Sequence, residues 1–244
     1  MTLHMVQAEI DVRRAAARTA RDHPRQRGQV YRDLGFVIKT ALSEAFGGEA
    51  APRPWHLQRT DGKGRAVVLG YADRDGAALR EQLAFAEPEL AGVVPAEHVH
   101  ATALPALAAG QQVRASLTCH PTVHTAWNGG QRRERDRYLV EVDRAEREGR
   151  TPAARETVYA DFIRERLAPA FRAEAVHLTG YAIPRLTRKH HGREGPRLTR
   201  VQLPVCHAEL ALTVTDAAAA ERLLAQGVGR GKAYGCGMLR VRPA

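Results

Sequence analysis

Two short segments of this 244-residue chain carry residue types suited to phosphate chemistry. The first spans 183–203, with the tip Arg188-Lys189-His190-His191-Gly192-Arg193-Glu194-Gly195. It is too charged for a core and too long for a tight turn. It reads as a finger that could lie along a duplex and neutralise several phosphates. The second runs from Gln226 to Met238, where Gly227, Gly229, Gly231, Gly235 and Gly237 are interleaved with Arg230 and Lys232. Backbone N–H groups beside glycine can approach phosphate oxygens closely. The run lacks the GxxxxGK spacing of a P-loop, and it precedes a strand where a dinucleotide-binding GxGxxG would open a helix. No nucleotide cofactor is expected, and no other cofactor.

The remaining chemistry-bearing residues read as structural. His120 and His124 are four apart, but Pro121 and the adjoining strand argue against a helical metal site. His98 and His100 share a strand face without a carboxylate cluster, so no metal site is expected there either. Trp55, Trp127 and Tyr234 could stack on bases, yet burial in the core is the simpler fate.

The charge supports this focus. There are 37 Lys+Arg against 27 Asp+Glu, a formal +10. Residues 13–32 hold seven arginines against Asp22, a net +6, and residues 185–200 carry a net +5, so the rest of the chain sits near −1. Only Lys39, Lys63, Lys189 and Lys232 are lysines. Arginine's planar fork suits phosphates and stacks on bases, which favours nucleic acid as the anionic partner. The run 132–150 balances its charges and reads as a solvated, ion-paired helix followed by a turn. With 44% hydrophobic residues and no apolar run near the length of a membrane span, neither disorder nor a membrane is expected. Three cysteines without CxxC spacing point away from a disulfide scaffold or a zinc knuckle and towards a reducing cytoplasm.

The elements that position these segments follow a repeated order. A strand over Leu3–Val12 and a basic connection over 13–28 lead to one amphipathic helix from Gln29 to Phe46. A glycine-turn hairpin pairs Trp55–Thr60 with Arg65–Tyr71, Asp75 caps the next helix, and Val94–Ala103 closes the unit. The second half offers a strand over Gln111–Cys119, an inserted helix over 132–148 and a helix starting at Thr151-Pro152. Two long strands, Ala175–Thr187 and Leu198–Val214, flank the basic tip. A helix capped by Thr215-Asp216 and a strand over Met238–Val241 complete it. The order β-α-β-β-α-β, twice, predicts an α+β fold of two tandem ferredoxin-like domains, 1–104 and 110–244.

The stretch QGVGRGKAYGCGMLRV resembles the C-terminal glycine-rich signature of the repeat-associated mysterious proteins, and is closest to the CasE family of CRISPR-RNA-processing endoribonucleases. AELALTVTDAAAAERLLA resembles that family's last strand and helix, and the first strand, the helix ending at Phe46 and RPWHLQR fit it in order. The resemblance implies two ferredoxin-like domains that bind the stem-loop of a CRISPR repeat through the basic finger and the glycine loop. The RNA-binding set it implies is Arg27, Arg185, Arg188, Lys189, His191, Arg193, Arg197, Arg200, Gly227, Gly229, Arg230 and Lys232. It further implies cleavage at the 3′ base of the stem, retention of the product, and partnership with backbone and 5′-handle-binding subunits of an effector complex. A tandem binder of single-stranded RNA fits worse, because no segment matches KGFGFVxF.

The chemistry implied is metal-independent attack of a ribose 2′-OH on the adjacent phosphate. It needs a base, a cation for the phosphorane and an acid for the leaving oxygen. Anchored on Leu42 and Phe46, the family pattern puts Phe36 where a tyrosine belongs and Lys39 where a histidine belongs. On one reading, Lys39 and Arg32 cut by charge stabilisation and protonation, with Lys39 projecting beside Arg32, Phe36 and Ser43 away from the apolar stripe. On another, His190, His191 or His23 is the base. On a third, the chain binds guide RNA without cutting it.

Overall fold

The computed structural model describes residues 2–126, 132–192 and 195–244; for Arg132, 189–192 and 195–197 it describes the backbone alone. The first half runs β1 (His4–Asp11), α1 (Val12–Asp22), α2 (Arg27–Val30), α3 (Leu34–Phe46), β2 (Trp55–Thr60), β3 (Arg65–Ala72), α4 (Gly76–Ala84), α5 (Pro88–Ala91) and β4 (Val99–Ala103). Its strands form an antiparallel sheet in the order β2-β3-β1-β4. The second half runs β5 (Gln112–Cys119), β6 (Thr122–Ala126), β7 (Arg132–Asp136), α6 (Arg137–Arg147), α7 (Arg155–Leu167), β8 (Phe171–Ala182), β9 (Arg185–Gly192), β10 (Gly195–Gln202), β11 (Val205–Val214), α8 (Ala217–Gln226) and β12 (Leu239–Pro243). Its main sheet has the order β12-β5-β11-β8. In both halves the first and third strands are central and the second and fourth are edges. This is the ferredoxin-like topology, present twice.

Four expectations need correction. The basic stretch 13–28 is no open connection, because α1 occupies Val12–Asp22. Asp11 caps it by accepting from Arg14 N at 3.0 Å, and a narrow stripe of Ala15, Ala16, Thr19 and Ala20 is buried. Arginines fill the opposite face and mask that stripe in the sequence. The helix expected from Gln29 is interrupted: α2 stops at Val30, and α3 starts only after Asp33, whose side chain accepts from Phe36 N at 2.9 Å. A cap of this kind is worth about 1 kcal/mol, enough to decide where a helix begins. Residues 132–136 are strand β7, paired with β6, and the helix begins at Arg137. Finally, the two long strands expected on either side of the basic tip are four strands. Ile183-Pro184 separates β8 from β9 and Leu203-Pro204 separates β10 from β11, since proline gives the ladder no N–H.

Most buried apolar side chains fall into two clusters, one under each sheet. Phe36, Ile38, Leu42 and Phe46 anchor α3 in the first, each at most 1% exposed. Burial of such a side chain contributes roughly 1.5–3 kcal/mol. The halves are joined through Tyr71 of β3, which packs in the second cluster and donates its hydroxyl to Leu239 O at 2.7 Å. Among the described residues, no helix is long and apolar enough to cross a membrane. Cys119, Cys206 and Cys236 are free and buried, with the first two sulfurs 3.5 Å apart across the β5–β11 pair.

His56 of β2 sits half-buried beside the second sheet. Burial, followed by the nearby Arg240 and His207, lowers its pKa from 6.5 to about 4. Between those values the unfolded chain binds more protons at this residue than the folded one, so acidification favours unfolding. The thermal unfolding midpoint should fall as pH drops from 6.5 to 4, and His56→Gln should make that fall shallower. An unchanged pH dependence in the variant would rule out the assignment.

Candidate nucleic-acid interface and reaction site

The finger formed by β9 and β10 is docked on the start of α3 by side chains from the first half. Asp33 is 6% exposed; one carboxylate oxygen caps α3 and the other accepts from Thr187 N of β9. Gln26 donates to Leu198 O at 2.9 Å, Gln29 donates to the Thr187 hydroxyl at 3.3 Å, and Leu198 is buried in the first core cluster. The finger is therefore built into the body at its root. The register opposes Thr187 to Arg200 and Arg185 to Gln202. A shallow cleft at the root is lined by Gln29, Arg32, Asp33, Arg185, Leu186, Thr187 and Arg200. Three arginines from remote parts of the sequence thus converge there, all exposed, with exposed Arg27 on α2 nearby in the chain.

A second junction ties the finger to the glycine loop. Glu134 of β7, its side chain 9% exposed, takes both Nη atoms of Arg188 at 3.0 Å and lies 3.3 Å from Nε of Arg230. The Thr122 hydroxyl donates to the same carboxylate at 2.7 Å. Burial raises the Glu134 pKa, but Thr122 and Arg188 outweigh it and hold the carboxyl below its ordinary value. Arg230 also contacts His124 Nε2. Glu134 does not stand out in the sequence, because the 132–150 run looks self-neutralising and its partners lie 54 and 96 residues away. Replacing Glu134 by alanine removes a negative charge, so electrostatics alone would tighten RNA binding. Loss of the junction should instead weaken it several-fold by filter binding. Tighter binding would show that Glu134 does not position the two arginines.

The glycine loop between α8 and β12 is held from beneath. Trp55 Nε1 donates to Ala233 O at 3.0 Å, and Gly237 N donates to Thr118 O at 2.6 Å. Gly231 has φ +75°, and a Cβ there would run into the His120 ring, which is buried and donates Nδ1–H to Pro204 O at 2.8 Å. Gly227, at φ +72°, leaves room for Pro54, the Gly237 carbonyl and the Lys232 stem. Burial and Arg53 lower the Lys232 pKa. A Cβ at Gly229, which has φ +72°, would meet the His120 carbonyl oxygen at 3.9 Å, an ordinary contact. Trp55 and Tyr234 serve the core and loop anchoring, while Trp127 lies outside the described residues.

The expected reaction residues separate into two groups. Phe36 is 1% exposed, so it belongs to the core, contrary to the face expected for it. Arg32 precedes α3 and lies in the cleft, whereas Lys39 stands further along α3, six residues beyond Asp33 and so about 9 Å along the axis. Lys39 Nζ is 6.0 Å from the Phe36 ring centroid, and the His23 ring is 6.1 Å from the same centroid. The fold therefore gathers Lys39 and His23 around Phe36, and Arg32 with Arg185 and Arg200. Tyr31, 54% exposed and next to Arg32, carries no signal in the sequence that singles it out. The side chains of Lys189, His190, His191 and Arg197, and all of Arg193, lie outside the described residues. The charge count also changes: Arg18 is paired with Glu44, Glu87 and Glu89, and Arg21 with Glu89, so these two are committed to the fold.

Two ferredoxin-like sheets, a basic β-hairpin docked across both halves and a glycine loop beside it define the class of tandem ferredoxin-like proteins with an inserted basic finger. The chain belongs to the family of CRISPR-associated proteins, whose model matches residues 3–243. It is similar in fold to the CRISPR endoribonuclease Cse3 bound to a 19-nucleotide RNA, at 21% identity and TM-score 0.63, with all of both chains covered. It is also similar to Cas6e from Escherichia coli str. K-12, at 18% identity and TM-score 0.55, over 99% of this chain and 100% of that one. A chain of a CRISPR RNA-guided surveillance complex matches at 17% identity and TM-score 0.56, again over 99% and 100%. No curated protein matches the chain in sequence.

Proposed function

We propose that this protein binds the stem-loop of a CRISPR repeat and cuts the precursor RNA at the 3′ base of the stem, by metal-independent attack of a ribose 2′-OH. Residues 1–104 and 110–244 act as its two domains, in the cytoplasm. The observation that carries the reading is the convergence of Arg32, Arg185 and Arg200 at the root of a finger braced by Asp33, with Arg188 and Arg230 joined beside it through Glu134. Such a surface offers forks to successive phosphates at fixed spacing. Lys39 stabilises charge at the scissile phosphate and protonates the leaving oxygen, and His23, gathered at the same Phe36 ring, is the nearby base. The product stays bound and joins an effector complex, as the similarity to a surveillance-complex chain supports.

A repeat RNA carrying a 2′-deoxyribose at the cleaved nucleotide tests the chemistry. It should bind with unchanged affinity and remain whole, while the all-ribose RNA is cut to a 2′,3′-cyclic phosphate and a 5′-OH. Cleavage of the deoxy substrate would exclude 2′-OH attack.

A further inference from the structure

We propose that His56, His207 and Arg240 form a second phosphate site, on the sheet face turned away from the glycine loop, and that it takes a backbone phosphate of the RNA strand flanking the bound stem-loop. The RNA part of this assignment rests on the function proposed above.

Side chains alternate along a strand. Trp55 of β2 points to the glycine loop, where it bonds Ala233 O, so its neighbour His56 points to the opposite face. That face is prepared by the second sheet. The register places Arg240 of β12 opposite Ser116 of β5, and His207 of β11 opposite Thr118. Ser116 and Thr118 are two apart and share a face, so Arg240 and His207 do too. The Thr118 hydroxyl lies 2.9 Å from His207 Nδ1 and holds the ring. Arg240 Nε is fully buried and has no hydrogen-bond partner among the described residues. Buried polar atoms are nearly always satisfied, and an unpaired donor on a guanidinium is the costliest kind to leave.

The electrostatics agree. Burial and then Arg240 lower the His207 pKa, and burial lowers that of Arg240 itself. Glu209 opposes that effect on Arg240, but its carboxylate also lies 3.8 Å from Arg242. Among the described residues, Arg114 of β5 and His177 of β8 share this face by register, and Tyr71 of β3 lies near Arg240. A site where a guanidinium disfavours charge on two neighbouring histidines, and one of its own donors lacks an acceptor, is complementary to a phosphodiester. The glycine loop is bonded directly to Thr118 through Gly237 N. The loop and the site therefore share β5, whose Thr118 carbonyl holds the loop and whose Thr118 hydroxyl holds His207.

The test follows His56 and His207 imidazole resonances during pH titration, first with inorganic phosphate. It then compares stem-loop RNA with and without a single-stranded flank. Phosphate should raise the pKa of both histidines, and Arg240→Gln should abolish the rise. The same variant should weaken the flanked RNA about tenfold, about 1.4 kcal/mol, and leave the flankless stem-loop unchanged; Arg240→Lys should restore part of the affinity. Histidines unmoved by phosphate would overturn the site, a result on the native protein that does not depend on any variant folding. A phosphate response with equal loss for both RNAs would overturn the flank assignment. Failure of native protein to bind either RNA would count against the broader RNA reading, while the phosphate titration would still decide the site.

Discussion

Replacing Arg32, Arg185 and Arg200 together by glutamate should lower affinity for the repeat stem-loop at least a thousandfold at moderate salt. The three line one cleft yet come from the α2–α3 connection, β9 and β10. Each reversal takes away a cation and adds a repulsion, at about 1.4 kcal/mol or more apiece, a factor of ten each. All three are exposed, and the bracing is done by Gln26, Gln29 and Asp33. The variant should therefore keep native circular dichroism and thermal midpoint. The slope of log affinity against log salt should flatten by about 0.9 for each phosphate no longer neutralised. Near-native affinity with an unchanged slope would move the RNA away from this cleft.

The second large effect is expected at Lys39. Lys39→Ala should reduce single-turnover cleavage about 10²–10³-fold, the range for loss of one positioned proton donor or charge stabiliser. Affinity for uncut RNA should change little, because Lys39 stands about 9 Å beyond the arginine cleft along α3. Lys39→Arg retains charge and separates the two contributions: partial activity would indicate charge stabilisation, and none would indicate proton donation. His23→Ala should cost a comparable factor and remove the limb of the pH–rate profile that reports the base. Cleavage unaffected by Lys39→Ala would exclude that residue from the reaction.

The sequence is informative where local signals agree with tertiary need. The Asp75 and Asp216 caps and the glycine-turn hairpin appear in the structure, because each is set within a few residues. It misleads where a polar surface hides a small buried stripe, as in α1, whose alanines pack while arginines dominate the composition. It also misleads at Asp33, since both a helix interior and a cap accommodate the same residue, and the bond to Thr187 on a remote strand favours the cap. The candidate site is half legible. Arg185, Arg200 and Arg230 stand out by clustering, but the Glu134 junction and the approach of His23 and Lys39 to the Phe36 ring depend on how the chain folds. Clustered charge likewise overstates availability, because Arg18 is held by three glutamates.

The most direct measurement incubates the protein with the repeat RNA of its own array in excess EDTA and resolves the products at nucleotide resolution. A single cut at the 3′ base of the stem, leaving a 2′,3′-cyclic phosphate and a retained stem-loop, is the result expected. Tight binding of RNA that stays whole would contradict cleavage and leave a guide-RNA-binding subunit without nuclease activity.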